Sequence, residues 1–69
     1  MTPQAQQVLE HLAQVGPLTG VEAEAVYRIR HLPRRIADLK DAGFVIDTEF
    51  RRDATGQRYA RYSLEGVTA

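Results

Sequence analysis

The spacing of apolar residues changes at Gly43, and this change limits the possible folds more than any other feature of the chain. Before Gly43, apolar side chains recur three and four residues apart, as on one face of a helix. After it, FVIDTEFRR and QRYARYSL alternate in the manner of half-buried β-strands, with the turn sequence DATG between them. The sequence therefore predicts an α+β domain in which helices precede a β-hairpin.

The first predicted helix begins with Thr2 as N-cap and Pro3 as its first helical residue, and it ends at Gly16 and Pro17. Its spacing predicts a buried apolar stripe made of Ala5, Val8, Leu9, Leu12 and Val15. The opposite, polar face is expected to be exposed and to be the surface for a homodimer or a protein partner, through Gln4, Gln7, His11 and Gln14.

The second predicted helix is about two turns long and starts at a capping-box pattern, Thr19 followed by Glu22. Leu18 precedes the cap and is expected to contact Ala23 as a hydrophobic staple. The apolar residues expected to face inward from this helix are Val21, Ala25, Val26 and Tyr27.

The third predicted helix extends from about His31 to Ala42. Pro33 is tolerated only in a first turn and so fixes the start, while Gly43 is a suitable left-handed stop. The apolar residues that recur at spacings of four and three, and are expected to be buried, are Leu32, Ile36 and Leu39.

The charges are divided unevenly along a chain whose formal net charge is zero. All nine basic residues lie between Arg28 and Arg61, where five acidic residues accompany them. Such asymmetry indicates an anionic partner, although a solvated surface is the simpler alternative. No apolar run is long enough to span a bilayer, so we expect a protein of the cytoplasm without a membrane partner.

A long segment, LTGVEAEAVYRIRHLPRRIADLKDAGFVIDTE, is followed by a basic hairpin that ends in RYARYSL. Together they resemble the small winged helix-turn-helix proteins of bacteriophages and prophages, which share a pattern like T-x-x-E-A…L…R-I-x-D-L-r-x-A-G…I-x-T-E…g-x-R-Y-a-x-Y. The resemblance covers about Val8 to Leu64 and is most specific in RIADLKDAGFVIDTE. It implies three helices followed by a two-stranded β-hairpin wing, with the third helix in the major groove of double-stranded DNA and the wing on phosphates.

The resemblance and the helical spacing indicate one DNA-binding face of the third helix, made of Arg30, His31, Arg34, Arg35 and Asp38. Asp38 is expected to pair with Arg34 or Arg35, or to accept a hydrogen bond from a cytosine amine. The wing residues expected on phosphate are Arg51, Arg52, Arg58 and Arg61.

Arg28 and Arg30 depart from the family pattern. Members of the family commonly have a glycine in the turn before the third helix and a serine or threonine as its N-cap. Arginine at those two places implies either a phosphate nearby or a distorted turn.

The leading hypothesis is a small DNA-binding protein, either a phage or prophage transcriptional regulator or a recombination-directionality factor. The alternative is a protein-binding module on a winged-helix scaffold, such as a phage-encoded inhibitor of a host protein. The chain has no cysteine and lacks motifs for nucleophilic catalysis, phosphate loops or metal ligation, so no enzyme, cofactor or metal site is expected. We expect residues 1–66 to form one domain and residues 67–69 a frayed tail.

Overall fold

Three helices precede most of an antiparallel sheet in the computed structural model, which describes residues 2–67. The elements in chain order are α1 (Pro3–Gln14), β1 (Leu18–Thr19), α2 (Gly20–Tyr27), α3 (Leu32–Asp41), β2 (Phe44–Arg52) and β3 (Arg58–Val67). The strand order in the sheet is β1-β3-β2. The α+β class, the three helices and the hairpin after Gly43 are therefore confirmed.

The sheet has a third strand that the sequence did not predict. Leu18 and Thr19 pair antiparallel with Tyr62 and Arg61, so the expected two-stranded hairpin is wrong in this detail. Thr19 is the N-cap of α2 and has extended backbone angles, φ −104° and ψ 163°, which suit a strand. A strand of two residues is too short to show alternation, and its sequence reveals only the cap.

Helix α1 begins as expected, because the Thr2 side chain accepts a hydrogen bond from the Ala5 amide at 3.1 Å. The buried residues of its stripe are Ala5, Val8 and Leu12. Val15 is 74% exposed, so its predicted place in the core is wrong. It is the C-cap of α1, where the helical spacing stops applying, and His11 is buried on this helix instead.

Helix α2 buries less of its apolar surface than its composition suggests. The Thr19 side chain caps it by accepting from the Glu22 amide at 3.2 Å, as the capping-box pattern predicts. Ala23 is buried and Tyr27 half-buried, four residues apart on one narrow stripe. The inward positions predicted for three other residues are wrong, because the structure exposes Val21, Ala25 and Val26.

The turn between α2 and α3 completes the core. Ile29 lies in this turn and is 1% exposed, which the sequence did not predict. Helix α3 then buries the three residues predicted by its spacing, Leu32, Ile36 and Leu39. Gly43 has φ +102°, as expected for a residue that ends a helix in the left-handed region.

The β2–β3 hairpin is long enough to extend past the helices. Its register pairs Ile46 with Leu64 near the core and Arg52 with Arg58 beside the turn. The protein measures 39 Å along its longest axis and 23 Å across the next, consistent with a projecting hairpin. We expected a tail from residue 67 onward, but Val67 pairs with Phe44 in the sheet. Residues 68 and 69 of the expected tail lie outside the described residues.

Candidate nucleic-acid interface

Three of the predicted residues lie exposed around the first turn of α3. Arg30 and His31 precede the helix, Arg34 follows Pro33, and together these four residues line a shallow surface depression. Within residues 2–67, no carboxylate lies within salt-bridge distance of Arg30, His31 or Arg34. His31 is the N-cap and its side chain makes no capping hydrogen bond. These side chains are therefore free to contact an external acceptor.

Arg35 and Asp38, also predicted on this face, are engaged within the protein. The Arg35 side chain is only 14% exposed, and its Nε lies 3.4 Å from a carboxylate oxygen of Asp38, the intrahelical pairing that was expected. Its Nη1 also donates to the Thr2 hydroxyl at 3.1 Å, which ties α3 to the start of α1. The expectation that Arg35 points outward with Arg34 is thus wrong, because its side chain lies between two helices.

Arg28 ends α2 in a conformation that favours glycine. It has φ 58° and ψ 33°, and no other non-glycine residue in the described range has a positive φ. The Arg28 amide donates to the Glu24 carbonyl at 3.0 Å, and the next amide, of Ile29, donates to the Ala23 carbonyl at 3.1 Å. The turn therefore keeps the tight geometry for which glycine is preferred, at a cost of about 1 kcal/mol for a side chain with a Cβ. The helix cap expected at Arg30 falls one residue later, at His31.

We call the outer part of the hairpin, residues 49–61, the wing. The arginines of the wing lie on two faces of the sheet. On the outer face, Arg51 forms an ion pair with Glu49, and this hydrogen bond raises the pKa of Arg51. Arg61 lies directly across the strands from the same Glu49 and is half-buried. The charges of these two predicted phosphate contacts are thus partly balanced by Glu49.

The inner face of the wing carries the other two predicted contacts. Arg52 and Arg58 are paired across the strands, and both are exposed. Neither has a carboxylate within salt-bridge distance in the described part of the chain. The Arg58 guanidinium lies 5.0 Å from the centre of the Phe50 ring, a cation–π contact.

The Asp53 carboxylate, at the tip of the wing, accepts hydrogen bonds from other residues of its turn. One carboxylate oxygen accepts from the Thr55 amide at 2.9 Å, from the Thr55 hydroxyl at 2.6 Å and from the Gln57 amide at 3.0 Å. These hydrogen bonds, chiefly the one from the Thr55 side chain, lower the pKa of Asp53. The carboxylate therefore organises the tip through Oδ1 and keeps its negative charge next to Arg52 in the chain.

A groove joins the start of α3 to the wing. Arg30, Leu32 and Pro33 line one side, and Tyr59 and Ala60 of β3 line the other. Arg30 thus lies beside β3 of the wing, and Glu24 of α2 lines the same groove. Arg58 lines a neighbouring depression together with Glu22 and Asp53. The sequence did not predict the place of Tyr59 in this groove, which depends on the packing of the sheet against the helices.

The predicted partner surface on α1 is smaller than expected because His11 is buried, with 8% exposure. Its Nε2–H donates to the Pro17 carbonyl at 3.4 Å, which leaves Nδ1 to accept from the Tyr27 hydroxyl at 2.8 Å. The remaining residues of that surface, Gln4, Gln7 and Gln14, are exposed.

The fold has two helices joined by a four-residue turn, a third helix packed on them and a hairpin beside them. This arrangement defines the winged helix-turn-helix class. A family model described as a winged helix-turn-helix domain matches residues 3–67, and the chain belongs to this family. Searches of the curated proteins and of the solved structures found no match.

Among residues 2–67, no helix is long and apolar enough to cross a membrane. In the same residues, no three histidine, aspartate or glutamate side chains are grouped so that they could hold a metal ion.

Proposed function

We propose that this protein binds double-stranded DNA, with α3 in the major groove and the wing on the adjacent backbone. The observation that carries the proposal is one surface on which Arg30, His31 and Arg34 lie exposed and without acidic partners beside the wing. Membership of a winged helix-turn-helix family supports the same function.

The two parts of this surface would contribute differently. Arg34 lies in the first turn of α3, where a helix approaches the floor of the groove, and its guanidinium matches the two acceptors of guanine. Arg52 and Arg58 project from a hairpin and would bind phosphates, which attracts any duplex without reading its sequence. Arg35 and Asp38 have no direct part in this proposal, because they pair with each other.

Affinity for one site is expected to be modest. A surface of this size would neutralise about 4 to 6 phosphates, which gives roughly micromolar binding or weaker at physiological salt and a steep loss as salt rises. Useful specificity then needs a dimer, tandem sites or a protein partner, for which the exposed glutamines of α1 are available. We propose a binding role without a catalytic reaction or cofactor, as a phage or prophage transcriptional regulator or recombination-directionality factor in the cytoplasm of a bacterial host.

An NMR titration with a mixed-sequence duplex at low salt tests DNA binding. We expect amide shifts to cluster at residues 30–34 and in the wing, and to diminish as salt is added. Shifts elsewhere only, or none at about 20 mM salt, would rule the proposal out. Arg58→Ala should weaken binding to all duplexes alike and reduce the salt slope by about one, whereas Arg34→Ala should also relax sequence preference.

A protein-binding module is the second candidate, favoured by the helices of the first half. Residues 1–27 contain three glutamates and no lysine or arginine. Three valines of α1 and α2 are each exposed by 66% or more, namely Val15, Val21 and Val26. An acidic surface with exposed apolar side chains suits a protein better than DNA. A candidate host protein that shifts only α1 and α2 amides in the same NMR experiment would support this function instead.

A further inference from the structure

Phe50 is a large apolar residue that the fold leaves 62% exposed. Side chains alternate along β2, so Phe50 lies on the same face as Ile46 and Thr48. Ile46 is buried against the helices and Thr48 is half-buried, but Phe50 lies beyond them in the wing. Opposite Phe50 on β3 is Ala60, whose small side chain does not cover the ring. The aromatic ring is thus presented on the inner face, the face that also packs on the helices.

The surroundings of Phe50 are cationic. Arg58 lies 5.0 Å from its ring centre, and Arg52 pairs with Arg58 across the strands on the same face. Glu49 lies on the outer face with Arg51. Asp53 lies at the tip, where its Oδ1 accepts three hydrogen bonds within the turn. An apolar ring beside two guanidinium groups that form no salt bridge among residues 2–67 matches a partner that offers both anions and apolar surface.

From this arrangement we infer that Phe50 is an apolar wedge that contacts the minor groove of a duplex and bends it, while Arg52 and Arg58 bind the flanking phosphates. The inference rests on the proposed DNA binding. Apolar side chains placed against minor-groove base steps unstack them and kink the duplex toward the major groove. A kink in that direction bends the duplex toward the major groove, which the proposed function assigns to α3. Phe50 therefore selects duplexes with easily deformed steps, such as TA or CA, under the wing.

Fluorescence energy transfer between dyes on the two ends of a short duplex tests the wedge. The full chain should raise the transfer efficiency on binding, and Phe50→Ala should bind with little bending and about tenfold lower affinity. Phe50→Leu keeps an apolar wedge and should retain most of the bend. Val15→Ala is the matched control, because Val15 is 74% exposed but lies at the end of α1, and it should change neither property.

Each other outcome contradicts the inference in a recognisable way. If the wild-type chain binds the duplex without bending it, or if Phe50→Ala bends it as well as wild type, the wedge is wrong and the proposed function stands. If no duplex binds at low salt, the proposed function fails and the wedge fails with it. If sedimentation shows that Phe50 instead joins two copies of the chain, and Phe50→Ala abolishes this, the exposed ring belongs to a dimer interface and the inference is overturned.

Discussion

Arg35 and Arg58 are the same residue type in opposite environments, and they represent the two regions of this molecule. Arg35 belongs to the helical body, where its side chain is 14% exposed and contacts both Asp38 and Thr2. Arg58 belongs to the wing, where its side chain is exposed, lies over the Phe50 ring and forms no salt bridge among residues 2–67. Arg35 thus helps to hold the helices together, whereas Arg58, like Arg30 and Arg34 at the start of α3, remains available.

This difference separates stability from function along the chain. The core lies in the body, and the largest fully buried side chains are Leu18, Ile29, Leu32, Leu39 and Val8. In the wing, every residue from 49 to 58 is exposed, so substitutions there remove little buried surface. Variants of the buried residues of the body should therefore change folding, and variants of the exposed arginines of the wing should change DNA binding with the fold intact.

The strongest test of the comparison is Leu39→Ala against Phe50→Ala. Leu39 is 0% exposed, and its truncation should lower the free energy of unfolding by about 3 kcal/mol, a large share of the stability of so small a domain. Phe50→Ala should stay within about 0.5 kcal/mol of wild type. Urea denaturation followed by circular dichroism measures both. Equal losses in the two variants would mean that the wing contributes to the core.

Tyr27→Phe tests a polar contact inside the body. Removing the hydroxyl leaves the buried Nδ1 of His11 without the partner that lies 2.8 Å away. We expect a loss of about 1 to 2 kcal/mol in the free energy of unfolding. Tyr59→Phe is the control, because Tyr59 lines the groove beside the wing, and its stability should match wild type. A neutral Tyr27→Phe result would indicate that water replaces the hydroxyl.

Arg34→Ala and Arg35→Ala compare neighbouring arginines that face different surroundings. Arg35→Ala should cost about 1 kcal/mol of stability, since it removes an ion pair, a hydrogen bond to Thr2 and the packing of the aliphatic stem. Arg34→Ala should leave the unfolding curve unchanged and lower the affinity for a preferred duplex by about tenfold. Thermal unfolding and fluorescence anisotropy separate the two effects. The reverse pattern would place Arg35, and not Arg34, in the interface.

Arg28→Gly should stabilise the protein. The residue already has φ 58°, so glycine removes a conformational cost of about 1 kcal/mol, partly offset by the larger entropy of the unfolded chain. Arg30→Gly is the matched control, because Arg30 lies in the same turn without a positive φ. This variant should be less stable than wild type. A thermal midpoint that falls in Arg28→Gly would show that the arginine side chain stabilises the turn.

The parts of the fold that sequence predicts well are those with many regularly spaced residues. The spacing of Leu32, Ile36 and Leu39 identifies the buried face of α3, and alternation identifies the hairpin. Short elements lack this information, so the two residues of β1 and the buried Ile29 in the turn went unpredicted. Residue type also misleads where burial depends on tertiary neighbours. A histidine on a polar face is buried because a tyrosine and a carbonyl from other segments satisfy it.

The candidate site shows the same limit for a different reason. Sequence identifies which side chains are basic and which share a helix face, and so it predicted the common exposure of Arg30, His31 and Arg34. It does not reveal which charges are already balanced across space. Arg35 contacts Thr2, 33 residues earlier in the chain, and only the packing of α3 on α1 produces that contact. The outer face of the wing carries the Arg51–Glu49 ion pair, whereas Arg52 and Arg58 share the inner face. Which arginine lies on which face likewise depends on the strand register.

The smallest expected effect concerns the tip of the wing and its dependence on pH. Because hydrogen bonds from Thr55 and Gln57 stabilise the charged carboxylate, the pKa of Asp53 lies below its ordinary value of 3.8. The hydrogen bonds contribute fully to the stability of the turn at pH values above 3.8, and this contribution is lost as the pH falls through the lowered pKa. The amide signals of Thr55 and Gln57 should therefore titrate together with a midpoint below 3.8. In Asp53→Asn, which keeps an acceptor oxygen but cannot ionise, this transition should vanish. A midpoint at or above 3.8 would mean that the hydrogen bonds of the turn do not stabilise the charged carboxylate.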